Sequence, residues 1–174
     1  INASYLAAQI VDFCGDGSRW GCRIHISLED SPLETGGGII RALPLLDDAP
    51  FIVVNGDVFT DYPLSRLCAV ELGDDLAHLI MVPNPSQHPA GDFPISHGRL
   101  AANGALRATF AGLSVVRREL FASAPAGIVP LKPLLDLAIA SGRVSGELWH
   151  GHWSDVGTPH RLSVLKARLS RAAD

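Results

Sequence analysis

Segments with the patterns of strands and of helices alternate along most of this 174-residue chain. Arg23–Leu28 alternates apolar and polar residues, which is typical of a strand. Phe51–Val54 is a continuous apolar run, as expected for a strand that is buried on both faces of a parallel sheet and has partners on both edges. Because helical patterns lie between the strands, the alternation predicts an α/β fold with a Rossmann-like mixed, mainly parallel sheet and helices on both faces.

Helical spacing of apolar residues marks four main helices. They are predicted at Tyr5–Phe13, at Gly36–Leu43 with Thr35 as the N-cap, at Leu131–Ala140 and at Pro159–Arg171. In the last two helices the residues expected to face the core are Leu134, Leu135, Leu137, Ala138, Leu162, Leu165 and Leu169. The other segments predicted are a short helix at 64–72, a small hairpin at 100–106, and strands at Ala77–Val82, Thr109–Val116 and Val144–Trp149.

Composition and charge exclude several classes of protein. The length suits one domain with its own core. The formal net charge is −4, without a block of Lys or Arg, which argues against nucleic acid and against a polybasic membrane anchor. The longest apolar runs are too short to span a bilayer. Three cysteines without a CxxC motif argue against a disulfide framework and favour the reducing cytoplasm.

A carboxylate follows the apolar run Phe51–Val54, in the sequence Asn55-Gly56-Asp57. Asp57 is therefore expected just past the carboxyl end of a central strand, which is the edge where such sheets bind ligands. Mg²⁺ takes oxygen ligands and commonly only one or two protein carboxylates, so Asp57 is a candidate magnesium ligand. The alternative is an Asx turn, in which Asp57 only caps its own loop.

A second carboxylate, Asp155, lies between a strand and a helix in Trp153-Ser154-Asp155-Val156-Gly157-Thr158-Pro159. Asp155 or Thr158 is also a candidate helix cap, with Pro159 at the first helical position. Two aspartates at strand ends of one sheet can share one cation. Together, Asp57 and Asp155 predict a metal site more strongly than either does alone.

Three consecutive glycines, Gly36–Gly38, open the second predicted helix. Glycine disfavours helix formation by roughly 1 kcal/mol relative to alanine, so another requirement is expected here. One reading is that the backbone N–H groups at the helix start are open to a flat or anionic ligand. The other reading is a tight turn with close packing of the helix.

Two histidines near Asp155 allow a different chemistry. His150 and His152 with Asp155 have the residue types of a zinc site, and an unrelated α/β hydrolase could use them. No third nitrogen or sulfur ligand is evident nearby in the sequence. The zinc hydrolase is retained as an alternative to the magnesium enzyme.

Several motifs, taken together, resemble one known family. Leu33-Glu34-Thr35-Gly36-Gly37-Gly38-Ile39, Val54-Asn55-Gly56-Asp57-Val58 and Gly151-His152-Trp153-Ser154-Asp155-Val156-Gly157-Thr158 are similar, in order and spacing, to motifs of the sugar-1-phosphate nucleotidyltransferases. The nearest resemblance is to the branch that acts on N-acetylmuramate 1-phosphate and UTP in bacterial cell-wall recycling. The resemblance extends from Ile1 to about Leu165.

This resemblance implies an activity and a set of site residues. The activity is transfer of a nucleoside monophosphate, from UTP, to a sugar 1-phosphate with release of pyrophosphate. Mg²⁺ would be held jointly by Asp57 and Asp155. The residues implied for nucleotide binding are Thr35, Gly36, Gly37, Asn55 and Gly56, and those implied for sugar binding are Asp92, Gly112 and Glu147. The alternatives are a mannose- or glucose-1-phosphate nucleotidyltransferase and a relative that binds nucleotide or sugar without catalysis.

The beginning of the chain departs from the family pattern. The family opens with a Gly-rich signature loop that contains Arg and is followed by a Pro-Lys pair, and this sequence has no counterpart to it. Ile1-Asn2-Ala3 resembles the end of the second family strand. We therefore expect residues 1–174 to form a nucleotidyltransferase domain without its N-terminal signature segment.

Overall fold

The computed structural model describes residues 1–172. Contacts between Cα atoms divide the chain into two compact units. The first unit contains Ile1–Pro50 and Arg117–Leu137, and the second contains Phe51–Val116 and Ala138–Asp174. No helix among the described residues is long and apolar enough to cross a membrane. Cys14, Cys22 and Cys68 are free thiols.

The first unit begins with a short parallel strand pair and two helices. Its elements are β1 (Asn2–Ala3), α1 (Ala7–Cys14), β2 (Ser27–Leu28) and α2 (Glu34–Ala42). β1 pairs with β2 in parallel. The strand predicted at Arg23–Leu28 is therefore shorter than expected. Its partner β1 contains only two residues, so only Ser27 and Leu28 pair with it.

The second unit contains most of the strands. They are β3 (Phe51–Val54), β4 (Val58–Thr60), β5 (Ala77–Val82), β6 (Phe93–Ser96), β7 (Arg99–Leu100), β8 (Arg107–Val116), β9 (Val144–Leu148) and β10 (Trp153–Asp155). Its helices are α3 (Ser65–Cys68) and α5 (Pro159–Ala172), while α4 (Leu131–Ala140) begins in the first unit. Six strands form one sheet in the order β3-β8-β5-β9-β7-β6, and β4 and β10 form a separate pair.

The expectation of a mixed α/β fold is confirmed, but fewer of the described strand pairs are parallel than expected. The described pairs β1–β2 and β5–β9 are parallel, and the other pairs are antiparallel. A parallel connection needs a crossover, usually a helix. Between β5 and β8 the chain forms only the hairpin β6–β7. As a result, β8 runs antiparallel to β5, and it is also antiparallel to β3 and β6.

The prediction that Phe51–Val54 is buried on both faces is wrong. β3 lies at the edge of the six-stranded sheet and pairs with β8. The side chains of Ile52 and Val54 are 40% and 49% exposed, while Phe51 and Val53 are partly buried. A short apolar run therefore identified the strand correctly, but it could not tell an edge strand from a central one.

The core of the second unit lies along the central strands. Eight buried residues form one cluster, and they are Tyr62, Leu67, Leu72, Ile80, Val82, Ala111, Leu113 and Val115. β5 is buried along nearly all of its length, because it lies between β8 and β9. Trp149 and Trp153 pack against this cluster, so the core also anchors the segment that leads to Asp155.

Several predictions about helices need correction. Leu33, without a side-chain hydrogen bond, is the N-cap of α2, and Thr35 lies inside the helix. In α4, Leu134, Leu135 and Ala138 are buried as predicted, but Leu137 is exposed. In α5, Leu162 and Leu169 are exposed and Leu165 is partly buried. Helical spacing shows which residues share a face, but it does not show how much of that face is covered.

The hairpin predicted at 100–106 forms earlier in the chain. β6 and β7 pair Ile95 with Leu100 and Ser96 with Arg99, so the turn lies at His97-Gly98. The short helix expected at 64–72 extends only over Ser65–Cys68.

Candidate active site

The two candidate metal ligands lie at adjoining ends of β4 and β10. Asp57 directly precedes β4, and Asp155 is the last residue of β10. The two strands are antiparallel with Asp155 opposite Val58, and the Val156 N–H donates to the Asp57 carbonyl oxygen at 2.8 Å. The expectation of two strand ends on one large sheet is corrected to this two-stranded pair, which brings both carboxylates to the same place.

Gly157 forms the floor of a small cradle between these carboxylates. A Cβ atom at Gly157 would lie 2.9 Å from Asp57 Oδ2 and 3.1 Å from Asp155 Oδ1. Contacts below 3.0 Å essentially never occur for real Cβ atoms. The absence of a side chain at Gly157 therefore leaves open the point on which the two carboxylate oxygens converge.

Arg161, which was not predicted from the sequence as a site residue, belongs to the same cradle. Its Nη2 atom lies 3.0 Å from Asp155 Oδ1, and this oxygen also accepts a hydrogen bond from the Gly157 N–H at 2.9 Å. The Arg161 side chain is 31% exposed and that of Asp155 is 28% exposed, so the pair contributes about 1 kcal/mol or less to stability. The spacing of Asp155 and Arg161 across a strand end and a helix start gave no sequence signal for this contact.

The donor set fits a hard divalent cation that also binds ligand oxygens. Within residues 1–172 the Asp57 carboxylate has no hydrogen bond or ion pair, so its oxygens are free to coordinate. Mg²⁺ typically takes one or two carboxylates and completes its shell with water and phosphate oxygens. Among the described residues, no group of three His, Cys, Asp or Glu side chains is placed to hold a metal ion. The arrangement therefore suits a cation shared with a substrate rather than a site closed by protein.

The zinc alternative lacks support in this geometry. His150, His152 and Asp155 do not form a cluster of three ligands within the described residues. The ring of His152 instead contacts Arg168, whose Nη2 atom lies 2.8 Å from His152 Nδ1.

A cavity of about 300 Å³ opens beside the two carboxylates. Its lining is drawn from the β3–β4 loop and the start of β4, the segment after β5, the middle of β8, and β10. The lining residues are Asn55, Asp57, Val58, Pro85, Gln87, His88, Thr109, Phe110, Ala111, Gly112, Trp153 and Asp155. Trp153 is fixed there by its Nε1–H, which donates to the Ala111 carbonyl oxygen at 2.9 Å. Gln87, His88 and Phe110 were not predicted from the sequence, since single residues in a loop or strand carry no motif.

Asn55 and Gly112 form the inner wall of this cavity. The Asn55 N–H donates to the Gly112 carbonyl oxygen at 2.8 Å. Gly112 has a φ of 75°, and a Cβ there would lie 2.8 Å from Asn55 Nδ2. Glycine is thus required at Gly112 both by the backbone conformation and by the close approach of Asn55. Two residues predicted for different ligands, nucleotide and sugar, are direct neighbours.

Asp92 is tied to the protein by both carboxylate oxygens. Oδ2 accepts a hydrogen bond from the Phe110 N–H at 2.8 Å, and Oδ1 lies 3.1 Å from His88 Nε2. Both of these partners line the cavity, whereas Asp92 does not. Asp92 therefore orients residues of the cavity wall and does not itself line the cavity.

Glu147 is likewise engaged by protein donors. Oε1 accepts a hydrogen bond from the Tyr62 hydroxyl at 2.5 Å, and Oε2 is paired with Arg66 Nη2 at 2.6 Å. Burial and the hydrogen bond to Glu147 raise the pKa of the Tyr62 phenol, so this phenol stays protonated and remains the donor. Trp149 packs edge-on against Tyr62 with ring centroids 5.3 Å apart. Glu147 thereby links α3 to β9, outside the lining of the cavity.

The glycine triplet is packed against other parts of the first unit. Gly36, Gly37 and Gly38 are buried. A Cβ at Gly36 would lie 2.7 Å from the Val129 carbonyl oxygen, and one at Gly37 would lie 2.3 Å from the Gly127 carbonyl oxygen. The Gly37 N–H donates to the Val129 carbonyl oxygen at 3.0 Å. The expectation of an open N–H is therefore wrong for Gly37, because the neighbouring loop uses that donor. Thr35 is exposed.

Comparison with known proteins places the chain among enzymes of one chemistry. It is 43% identical over 175 residues to an N-acetylmuramate alpha-1-phosphate uridylyltransferase of Neisseria meningitidis serogroup B, covering 96% of this chain and 76% of the relative. It is 31% identical over 187 residues to the Caulobacter vibrioides protein of the same name, covering 99% and 77%. A Mycobacterium tuberculosis mannose-1-phosphate guanylyltransferase is 26% identical, covering 98% of this chain and 51% of that protein. No family model matches the sequence.

Solved structures of low sequence identity share the fold. HddC from Yersinia pseudotuberculosis has a TM-score of 0.76 at 19% identity, covering 97% of this chain and 76% of HddC. The inositol-1-phosphate CTP transferase from T. maritima has a TM-score of 0.71 at 14% identity, covering 95% and 73%.

Proposed function

This chain belongs to the sugar-1-phosphate nucleotidyltransferases, and we propose that within this family it joins N-acetylmuramate α-1-phosphate to UMP from UTP with release of pyrophosphate. The two relatives that cover most of the chain carry the name of this activity. The corresponding biological role is recycling of cell-wall sugar. Three free thiols suit a reducing cytoplasm as the place of the reaction.

One observation carries the proposal on the structural side. Asp57 and Asp155 converge on Gly157 next to a cavity of about 300 Å³, with Asn55 and Gly112 in its wall. The reaction brings two phosphate anions together, and this requires a cation at a fixed place. Two carboxylates at the rim of a cavity supply that place without closing it to phosphate.

Enzymes of this family generally use a divalent metal. We assign Mg²⁺ to this role, held by Asp57 and Asp155. When bound, Mg²⁺ supplies charge neutralisation at the nonbonding phosphate oxygens. The free carboxylate of Asp57 is the first candidate ligand, and Asp155 joins it once its hold on Arg161 is released or shared.

The residues of the chain need to position the reactants rather than move protons. The phosphate oxygen of the sugar is already an anion and attacks the α-phosphorus without a general base. Nucleotide binding is proposed to depend on Thr35, Gly36, Gly37, Asn55 and Gly56, with direct contacts from the exposed residues only. Among these, Thr35, Asn55 and Gly56 are exposed, whereas Gly36 and Gly37 are buried and position their neighbours by close packing.

Gly112, Asp92 and Glu147 are proposed to serve the sugar in different ways. Gly112 lines the cavity, so its backbone is proposed to contact the sugar directly. Asp92 is proposed to act through Phe110 and His88, the two cavity residues that it holds. Glu147 is proposed to act through Tyr62 and Arg66, which are its partners in the structure.

A pyrophosphate-release screen on the full-length protein tests the proposed function. It crosses UTP, GTP, CTP, ATP and dTTP with the 1-phosphates of N-acetylmuramate, mannose and glucose, in the presence of Mg²⁺. The highest kcat/KM is expected for UTP with N-acetylmuramate α-1-phosphate. A preference for GTP with mannose 1-phosphate would favour instead the activity that the Mycobacterium tuberculosis relative is named for. An Asp57→Asn variant serves as the inactive control.

A further inference from the structure

The guanidinium of Arg161 occupies the carboxylate cradle together with Asp57 and Asp155. Arg161 Nη2 lies 3.0 Å from Asp155 Oδ1. It lies 3.2 Å from the position that a Cβ on Gly157 would take, and Asp57 Oδ2 lies 2.9 Å from the same position. One cationic side chain therefore already stands where the two candidate metal ligands meet.

Stability does not account for this placement. The pair with Asp155 is partly exposed to solvent, which limits the gain from the contact. Arg161 Nε is buried and has no hydrogen-bond partner among the described residues, which is unfavourable. The start of α5 is capped independently, since the Arg161 N–H donates to Thr158 Oγ1 at 3.2 Å. The helix therefore does not need the Arg161 side chain for its position.

We propose that Arg161 is a phosphate-binding residue of this site, which pairs with Asp155 only until a divalent cation takes the carboxylates. The inference rests on the proposed function, because that reaction supplies both the cation and the phosphate groups. Asp57, Asp155 and Arg161 together carry a net charge of −1. Adding a divalent cation changes this to +1, so the site then favours an anion.

The chemistry of the guanidinium identifies the ligand class. A divalent cation bound to Asp155 repels the neighbouring guanidinium and competes with it for the same oxygen. The displaced guanidinium remains charged and needs a new acceptor, and its fork of N–H donors matches the oxygens of a phosphate group. The phosphate can come from the sugar 1-phosphate or from the nucleoside triphosphate.

Equilibrium binding measurements separate this role from a structural one, because a phosphate-binding role predicts that loss of Arg161 raises the affinity for the metal and lowers the affinity for the phosphate ligand. In Arg161→Gln, the affinity for Mn²⁺ alone, measured by electron paramagnetic resonance, is expected to rise about fivefold, since a competing cation is removed. The affinity for a phosphate ligand is expected to fall about tenfold, since a charge-assisted hydrogen bond is lost. UTP and N-acetylmuramate α-1-phosphate are titrated separately by calorimetry in the presence of Mg²⁺, and the ligand whose affinity falls is the source of the phosphate.

Two further variants make the test specific. Arg161→Lys keeps the charge but not the fork, so its Mn²⁺ affinity is expected to stay near that of the wild type while phosphate binding is weakened. Arg168→Gln removes the same charge from the same helix, where the arginine contacts His152 instead of a carboxylate. It is expected to change both affinities by less than about twofold.

Failure of this inference is distinguishable from failure of the proposed function. If Arg161→Gln changes neither the Mn²⁺ affinity nor the affinity for either phosphate ligand, the role of Arg161 is overturned, even if the wild type releases pyrophosphate. A loss of affinity for Mn²⁺ would also overturn it, since this would indicate that Arg161 only holds Asp155 in place. If the wild type releases no pyrophosphate with any substrate pair, the proposed function fails, while the Mn²⁺ titration still reports on Arg161.

Discussion

Gly157 and the first two glycines of the triplet, Gly36 and Gly37, leave space for different groups. Around Gly157 the atoms that an added Cβ would meet first belong to charged side chains, those of Asp57, Asp155 and Arg161. Around Gly36 and Gly37 the nearest atoms are carbonyl oxygens of the chain itself, in the segment 127–130. The glycine at Gly157 therefore leaves space between side chains that can bind a ligand. The glycines at Gly36 and Gly37 allow another backbone segment of the protein to approach closely.

This contrast explains why glycine-rich motifs are ambiguous in a sequence. Both regions combine glycine with a helix start, and both looked like ligand sites. The surroundings of the glycine distinguish the two cases, because a ligand site needs polar atoms that have no hydrogen-bond partner within the protein. Asp57 has such a carboxylate within the described residues, whereas the Gly37 N–H is already bonded to Val129.

Removal of either carboxylate tests the Gly157 region most severely. Asp57→Asn and Asp155→Asn are each expected to lower kcat/KM by about 100-fold or more, because either change empties the same metal site. The double variant should be little worse than either single one. Circular dichroism melts should show small shifts, since Asp57 is exposed and Asp155 is only partly buried. Turnover near that of the wild type in either single variant with Mg²⁺ would show that they do not share a metal.

Adding one methyl group at Gly157 is expected to harm activity without unfolding the protein. In Gly157→Ala the new Cβ meets Asp57 Oδ2 at 2.9 Å and Asp155 Oδ1 at 3.1 Å, so the ends of two side chains must move apart. We expect kcat/KM to fall about tenfold. The free energy of unfolding should change by less than about 1 kcal/mol, because side-chain ends can shift. A large loss of stability at unchanged activity would remove the distinction between the two regions.

The corresponding change in the triplet should have the opposite profile. In Gly37→Ala the Cβ would lie 2.3 Å from the Gly127 carbonyl oxygen, and backbone cannot move as easily as the end of a side chain. Urea unfolding is expected to show a loss of about 1–3 kcal/mol, as for overpacking elsewhere. The folded fraction should keep most of its affinity for UTP. If Gly37→Ala is stable but binds UTP poorly, the triplet contacts the nucleotide directly.

Gly56 supplies the control for stability, with the smallest expected change in the free energy of unfolding. Within the described part of the chain, no atom lies within 4 Å of the position that a Cβ would take there. Gly56→Ala should therefore change stability by less than about 0.5 kcal/mol. Since Gly56 is a proposed nucleotide contact, a higher KM for UTP at unchanged stability would support that contact. An unchanged KM for UTP would remove Gly56 from the site.

The sequence predicted those parts of the fold and site that depend on neighbouring residues. Asp155, Thr158 and Pro159 lie at a strand end and helix start as expected, because turn and capping signals are local. The meeting of Asp57 with Asp155 was also predicted, although through a different strand pair. The exposure of β3 and of Leu162 was not predicted, since burial depends on which elements, distant in the sequence, cover a face. Arg161 was missed because the direction of its side chain follows from the angle at which α5 leaves β10.

The central claim, that Asp57 and Asp155 hold one divalent cation, is tested most directly by anomalous diffraction from crystals soaked with MnCl₂ and UTP. One Mn²⁺ peak is predicted, within ordinary coordination distance of an oxygen of Asp57 and an oxygen of Asp155, in the cradle above Gly157. Crystals of Asp57→Asn soaked in the same way should lack this peak. A wild-type peak elsewhere, or one that persists in Asp57→Asn, would contradict the account.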